Sequence, residues 1–401
     1  MEIEPPPLGA AIERYRQQAQ DLAEAYRAGD ATARDLVRNE CPELDGSAVA
    51  LADAQEVVAR RYAFDSWETL AAWADAVGRA ESRVARFESA AEAIVSGDAA
   101  TLTRLLREDA ELVHERSMRS HRATLLIYVG ANGVEGYRQK TPPNAVQIAE
   151  ILLDAGSEIA AVGTMYRGTT TLGLVATSVH PVITGVQEEL MQLLLDRGAS
   201  TEGAVAPDYT DGLVVNACLA NGRPSAALFL AQRGATLNLE GAAGVGRLDS
   251  VKSYFDEDGN LKASATDEHL KSAFKWACGY GRTNVVEFLL TKGIDVSERH
   301  RGETRLHVAA LGGHLDVVDM LLQRGAPIDA KDETYKSTPL GWALWGWSHP
   351  APDWKDARHY EVVRRLVAAG SKIEPAWLDD ENLRSDPRML AALTTTASEA
   401  T

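Results

Sequence analysis

Residues 302–332, "GETRLHVAALGGHLDVVDMLLQRGAPIDAKD", decide the fold. Thr304 can cap a short helix through its hydroxyl. Leu306, Ala309 and Ala310 give that helix a small apolar face that lets a neighbouring helix come close. Gly313 supplies a turn. Leu315, Val318, Leu321 and Leu322 then recur at helical spacing on a second helix. Gly325 ends it in the left-handed conformation that favours glycine. One such pair cannot bury its own apolar face, so it must stack on copies.

Copies lie on both sides. KSAFKWACGYGRTNVVEFLLTKGIDV (271–296) is a close match. KSTPLGWALWGW followed by EVVRRLVAAGSKIE is another, split by an insertion running from Ser348 to about His359. Further units begin at Arg122, Thr169 and Asp211, residues 239–261 form a degenerate one, and 87–113 could be the first. The unit resembles the ankyrin repeat: Thr304 to His307 stand for the family's T-P-L-H, Gly313-His314 for its mid-repeat G-H, and Gly325-Ala326 for its terminal G-A. The resemblance covers roughly residues 87–374. It implies an all-α ankyrin-repeat solenoid of about seven to eight helix-turn-helix units that binds a protein or peptide.

Three segments are expected: an N-terminal helical capping region (1–82), the repeat array with three enlarged repeats (83–375), and a C-terminal cap with a mobile tail (376–401). In the first, Ala54, Val57, Val58 and Tyr62 share a helical face, and Phe64, Trp67, Leu70 and Trp73 continue the apolar surface. Its DAQEVVARRYAFDSWETL is similar to a segment seen ahead of bacterial ankyrin arrays.

Composition narrows the function. The 401 residues are 45% hydrophobic and 25% charged, with net charge -17 and a pI near 5.0. An acidic surface repels phosphate backbones and anionic headgroups, so neither nucleic acid nor membrane is an expected partner. A basic protein or cationic small molecule remains compatible with it. No apolar stretch approaches the ~18 residues of a membrane span, and the start lacks a signal-peptide pattern, so a cytoplasmic location is expected. Cys41, Cys218 and Cys278 are odd in number and widely separated, which argues against a disulfide framework and a zinc site. No metal or cofactor is expected.

Aligning the units on their mid-repeat glycine stacks equivalent positions in columns. The column of His307 reads Ile127, Gly173, Asn216, Glu240, Lys275, His307 and Gly341. The resemblance makes His307 structural. Glu240 and Lys275 are expected to pair across adjacent repeats with Asn216 bonding to either, forming a polar ladder or a site with perturbed ionisation. The next column holds Tyr128, Trp276 and Trp342, with Tyr280, Trp345 and Trp347 nearby: aromatic surface for recognition, or packing of an enlarged repeat.

Insertions enlarge the units at 134–144, around His180 and around Trp354. The first, VEGYRQKTPPN, carries Glu135, Tyr137, Arg138 and Lys140, with Asn132 in the preceding turn; it reads as a recognition loop or lid, or as an idle surface insertion. No Walker loop, GxSxG elbow or HExxH helix occurs. GAAGVG (241–246) falls on the first helix of a repeat, where close helix packing explains it. Two functions compete. One is a binding protein that uses a concave face and enlarged loops. The other is a small-molecule receptor or enzyme with a polar and aromatic pocket, in which Glu240 or His180 is the acid or base and Lys275 the charge stabiliser.

Overall fold

The computed structural model describes residues 12–44, 46–202, 212–354 and 357–394. Its contacts divide the chain into two compact units, Met1–Val214 and Val215–Thr401. Among the described residues nearly all regular structure is helical, and the paired strands Val162–Gly163 and Thr169–Thr170 are the exception.

In the first unit, helices Ile12–Ala28, Ala31–Glu40, Leu51–Arg61 and Trp67–Val77 close around Tyr15, Val57, Phe64, Leu70 and Trp73. Side-chain oxygens of Asp30 and Ser66 cap two of these helices, accepting from Ala33 N (2.8 Å) and Thr69 N (3.3 Å). The apolar face expected of residues 54–73 is buried, apart from half-buried Trp67. Three helix pairs follow: Arg83–Ser96 with Ala99–Glu108, Leu125–Tyr128 with Ala145–Asp154, and Thr171–Thr177 with Gln187–Asp196. In the enlarged third pair the one-turn helix His180–Thr184 is inserted before the second member.

Among its described residues the second unit stacks five pairs: Val214–Ala220 with Pro224–Gln232, Leu239–Val245 with Leu248–Lys252, Asp267–Gly279 with Thr283–Leu290, Arg305–Leu311 with Leu315–Gln323, and Pro339–Ser348 with His359–Ala368. One apolar core runs through it from Leu239 to Leu393, containing Phe274, Leu306, Val318, Leu340 and Leu366. Helices Glu381–Ser385 and Pro387–Thr394 cover its end with Leu383, Met389 and Leu393. The expected mobile tail and the Asp211 start of a unit lie outside the described residues.

His307 shows how the repeats are joined. Its Nδ1 accepts from Thr304 N at 3.2 Å, so its Nε2–H is free to donate to Ser337 O of the next repeat at 3.1 Å. A second stitch recurs on the turn side. Arg282 donates to Gly244 O (2.8 Å), His314 to Gly279 O (3.0 Å) and His359 to Leu311 O (2.9 Å), each bonding a turn to the end of the preceding repeat's first helix. These bonds satisfy helix-terminal carbonyls that have no partner within their own helix. GAAGVG is helical up to Val245 and ends on the left-handed cap Gly246, and a Cβ on Gly244 would sit 2.5 Å from Leu219 Cδ1, so glycine permits the close approach.

Among the described residues no helix is long and apolar enough to cross a membrane, and no group of three His, Cys, Asp or Glu side chains is placed to hold a metal. Cys41, Cys218 and Cys278 are buried free thiols.

Candidate functional site

The insertion at 134–144 does not overhang the stack as expected. Residues Gly136–Arg138 form one turn of 3-10 helix that turns its charges inward: Glu135 is 6% exposed and Arg138 0%. Arg138 Nη1 donates to Glu88 Oε2 at 2.6 Å and to Glu135 Oε1 at 3.3 Å. Its Nη2 donates to Glu88 O (3.2 Å), and its Nε to half-exposed Glu92 (3.4 Å). Tyr128, fully buried, donates its hydroxyl to Glu135 Oε1 at 3.2 Å. Only Lys140 of the four polar residues named in the insertion is in open solvent.

A second guanidinium completes the network. Arg119, 1% exposed, pairs through Nε with Glu135 and donates Nη1 to Tyr62 O (2.6 Å) and Nη2 to the Tyr137 hydroxyl (3.3 Å). Its plane lies over Phe64 and Trp73, 4.8 and 4.7 Å from the ring centres. Glu88 also accepts from Trp73 Nε1 at 2.9 Å. His121 Nδ1 accepts from Ala123 N at 3.1 Å, which directs Nε2 toward Glu135 Oε2, 3.6 Å away. The buried carboxylates of Glu88 and Glu135 thus balance the buried guanidiniums of Arg119 and Arg138.

That balance is what makes burial tolerable, because an unpaired buried ion is costly. Burial alone would raise the pKa of Glu135. The adjoining His121 N–H and the charges of Arg119 and Arg138 outweigh it and hold the carboxyl at about 2. Burial raises Tyr128 and Tyr137 above the ordinary phenol range, so both hydroxyls stay protonated donors.

The sequence reading grouped Tyr128, Glu135, Tyr137 and Arg138, and they do meet. It missed Glu88, Arg119 and His121. Glu88 could have been found, since it lies on the stripe with Ala91 and Val95, a charge on an apolar helix face. Arg119 and His121 lie in an irregular stretch that gives no periodic signal. Asn132 stands apart, accepting from the Tyr166 hydroxyl at 2.8 Å, and half-buried His180 opens its one-turn helix.

In the second unit the expected Glu240–Lys275 pair is replaced. Lys275 Nζ pairs with Glu303, reaching forward to the loop of the next repeat instead of back along the column. Glu240 is 8% exposed on helix Leu239–Val245. Asn216 is buried and donates to Asn238 (3.1 Å), the residue that caps that helix. The Lys275–Glu303 and Asn216–Asn238 contacts each bridge adjacent repeats.

The aromatic residues separate into two kinds. Tyr280 donates its hydroxyl to Leu219 O, and half-buried Trp342 donates Nε1 to Asp332 Oδ2 at 3.1 Å with its ring edge-on to His307. Both therefore join repeats. Trp276 is half-buried. Trp345, in contrast, is 56% exposed and stacks flat on His349 at 4.4 Å, and Tyr335, which sequence reading missed, is 76% exposed in the loop leading into the same repeat.

The family model for ankyrin repeats (3 copies) matches residues 239–332. Over short stretches the chain is 40% identical to the E3 ubiquitin-protein ligase hecd-1 of Caenorhabditis elegans, spanning 20% of this chain and 3% of that one. It is 40% identical to Inversin of Danio rerio, over 17% and 7% respectively. It is 43% identical to the 26S proteasome non-ATPase regulatory subunit 10 of Rattus norvegicus, over 14% and 23%. The chain thus spans less than a quarter of the length of these relatives. Among solved structures, the human ASB11 ankyrin repeat domain is similar at 18% identity and a TM-score of 0.33, over 71% of this chain and 99% of that one. With a capped helix-turn-helix unit repeated through the second half, and with the family model matching residues 239–332, that segment of the chain is built of ankyrin repeats.

Proposed function

We propose that this chain is a binding protein that recognises a protein or peptide partner through the concave face and enlarged loops of its repeats. Ankyrin repeats support an interaction role in general. The observation that carries the finer reading is the exposure of two aromatic side chains on the last repeat, Tyr335 in the loop before its first helix and Trp345 near the end of that helix. Large aromatic surface left in water is characteristic of recognition hot spots. Trp342 and His307 are held by Asp332 and Ser337, whereas Trp345 stacks on His349 and keeps more than half of its surface in water.

Acid or base chemistry by Glu240 or His180 with Lys275 gains no support, because Lys275 is neutralised by Glu303. The test is to install a photo-crosslinking residue at position 335, identify the captured partner, and measure its affinity for Tyr335→Ala and Trp345→Ala. Each substitution should weaken binding by at least about tenfold, ~1.4 kcal/mol, with the melting temperature unchanged. Full affinity in the double variant would refute this placement of the interface.

A further inference from the structure

Helix Pro224–Gln232 has no local cap. The residue at its N-cap position, Arg223, carries only donors, and no side-chain cap bond forms there. The first amides of a helix have no partner within it and favour negative charge nearby. Their acceptor comes from 128 residues away: Ser225 N donates to Asp353 Oδ2 at 3.3 Å. Asp353 belongs to the insertion of the last repeat and is only 8% exposed.

The insertion therefore runs back across the second unit. It leaves helix Pro339–Ser348 where His349 stacks on Trp345, and it turns with Trp354 N donating to Ala351 O at 3.0 Å. On its return Arg358 N donates to Gly313 O at 2.9 Å. Pro350 and Pro352 fix two backbone angles, which limits the freedom lost on docking. Three repeats lie between the two that Asp353 joins, whereas repeats in a stack ordinarily touch only their neighbours. The hydroxyl of Tyr280 reaches Leu219 O past an intervening repeat, so the turn sides converge along the path of the insertion.

Other groups at the dock oppose closure. Trp354 Nε1 and Arg223 Nε are buried and have no hydrogen-bond acceptor among the described residues. Burial lowers the pKa of Arg223 below the ordinary guanidinium value, and the charge of Asp353 is the main influence against that shift. The docked arrangement thus depends on one carboxylate.

We propose that residues 348–354 are a releasable clasp: Asp353 seated on helix Pro224–Gln232 ties the last repeat of the second unit to its first and fixes the curvature of the stack, and withdrawal of Asp353 lets the stack open. The clasp requires no partner at Tyr335 or Trp345.

Spin labels on Gln232→Cys and Arg364→Cys in the full chain test this, since both positions are exposed and the native cysteines are buried. Double electron–electron resonance should give one narrow distance distribution with Asp353 present. Asp353→Ala should shift it to longer distances and broaden it, and hydrogen exchange at 225–228 should quicken at least tenfold. Asp353→Asn keeps an acceptor for Ser225 N and should retain most of the narrow population. A shift as complete with asparagine as with alanine would overturn the role given to the hydrogen bond. An unchanged distance distribution in Asp353→Ala, even with faster exchange at 225–228, would reduce the contact to a local cap and overturn the clasp.

Discussion

The repeat built on Leu125–Tyr128 and Ala145–Asp154 and the repeat built on Arg305–Leu311 and Leu315–Gln323 solve one problem in different ways. Both must join a short first helix to its surroundings without leaving polar groups stranded. The second uses neutral bonds: His307 links Thr304 to Ser337, and His314 closes on Gly279 O. The first draws an inserted segment into the interior and balances Arg119 and Arg138 against Glu88 and Glu135. A neutral stitch forfeits little when removed. An ionic one leaves its partners charged and dry, so the enlarged repeat should be much more sensitive to single substitutions.

The largest expected effect follows from Arg138→Met. Glu88 and Glu135 lose their shared counter-ion, and the destabilisation should reach about 3–5 kcal/mol by denaturant titration. A loss below ~1 kcal/mol would show that the network is hydrated and would erase the contrast. His307→Ala removes the neutral hydrogen bonds to Thr304 and Ser337 and leaves Ser337 O without its partner, for which about 1–3 kcal/mol is expected in the same assay.

Acid should separate the two repeats by pH. Burial lowers the pKa of His307 and His359 below the free value of 6.5, despite hydrogen bonds that oppose it. Their contribution is therefore complete above pH 6.5 and is lost as pH falls toward the depressed values. Glu135, held at about 2 against 4.5 when free, contributes fully above 4.5 and fails only as pH falls toward 2. Segment-resolved hydrogen exchange should show protection falling in Arg305–Leu311 and His359–Ala368 below pH 6.5, while the Glu135 contribution at 134–138 persists to below 4.5. A loss at 134–138 that tracks the histidine window would break the distinction.

The smallest effect is expected of Lys275→Met. Its pair with Glu303 is partly open to water, with side chains 22% and 15% exposed, so solvent screening limits the change to about 0–1 kcal/mol in thermal melts. A loss of several kcal/mol would restore the idea that Lys275 neutralises a deeply buried carboxylate.

The helix-turn-helix unit was legible because its signal is local: spacing of Leu315, Val318 and Leu321, and Gly313 and Gly325 at the turns, whose φ values are +67° and +79°. Gly244 could be placed on a packed helix for the same reason. Partner choice for long side chains was not legible. Alignment put Glu240 and Lys275 in one column, but a lysine side chain is long enough to reach the carboxylate of the following loop. The fate of VEGYRQKTPPN was hidden more deeply, because its burial depends on Glu88 and Arg119, and Glu88 lies 50 residues away from Arg138. Its glycine and prolines suggested an ordered loop, while its charges suggested an exposed one. The charges are accommodated inside by their partners.

A double-mutant cycle between Arg138 and Glu88 tests most directly whether the enlarged repeat is held by buried ions. Glu88→Gln keeps an acceptor for Trp73 Nε1 while removing the charge. Arg138→Met and Glu88→Gln should each be strongly destabilising, and the double variant should be less destabilised than their sum by more than about 1 kcal/mol, because each substitution removes the other's stranded partner. Additivity within ~0.5 kcal/mol would contradict the account.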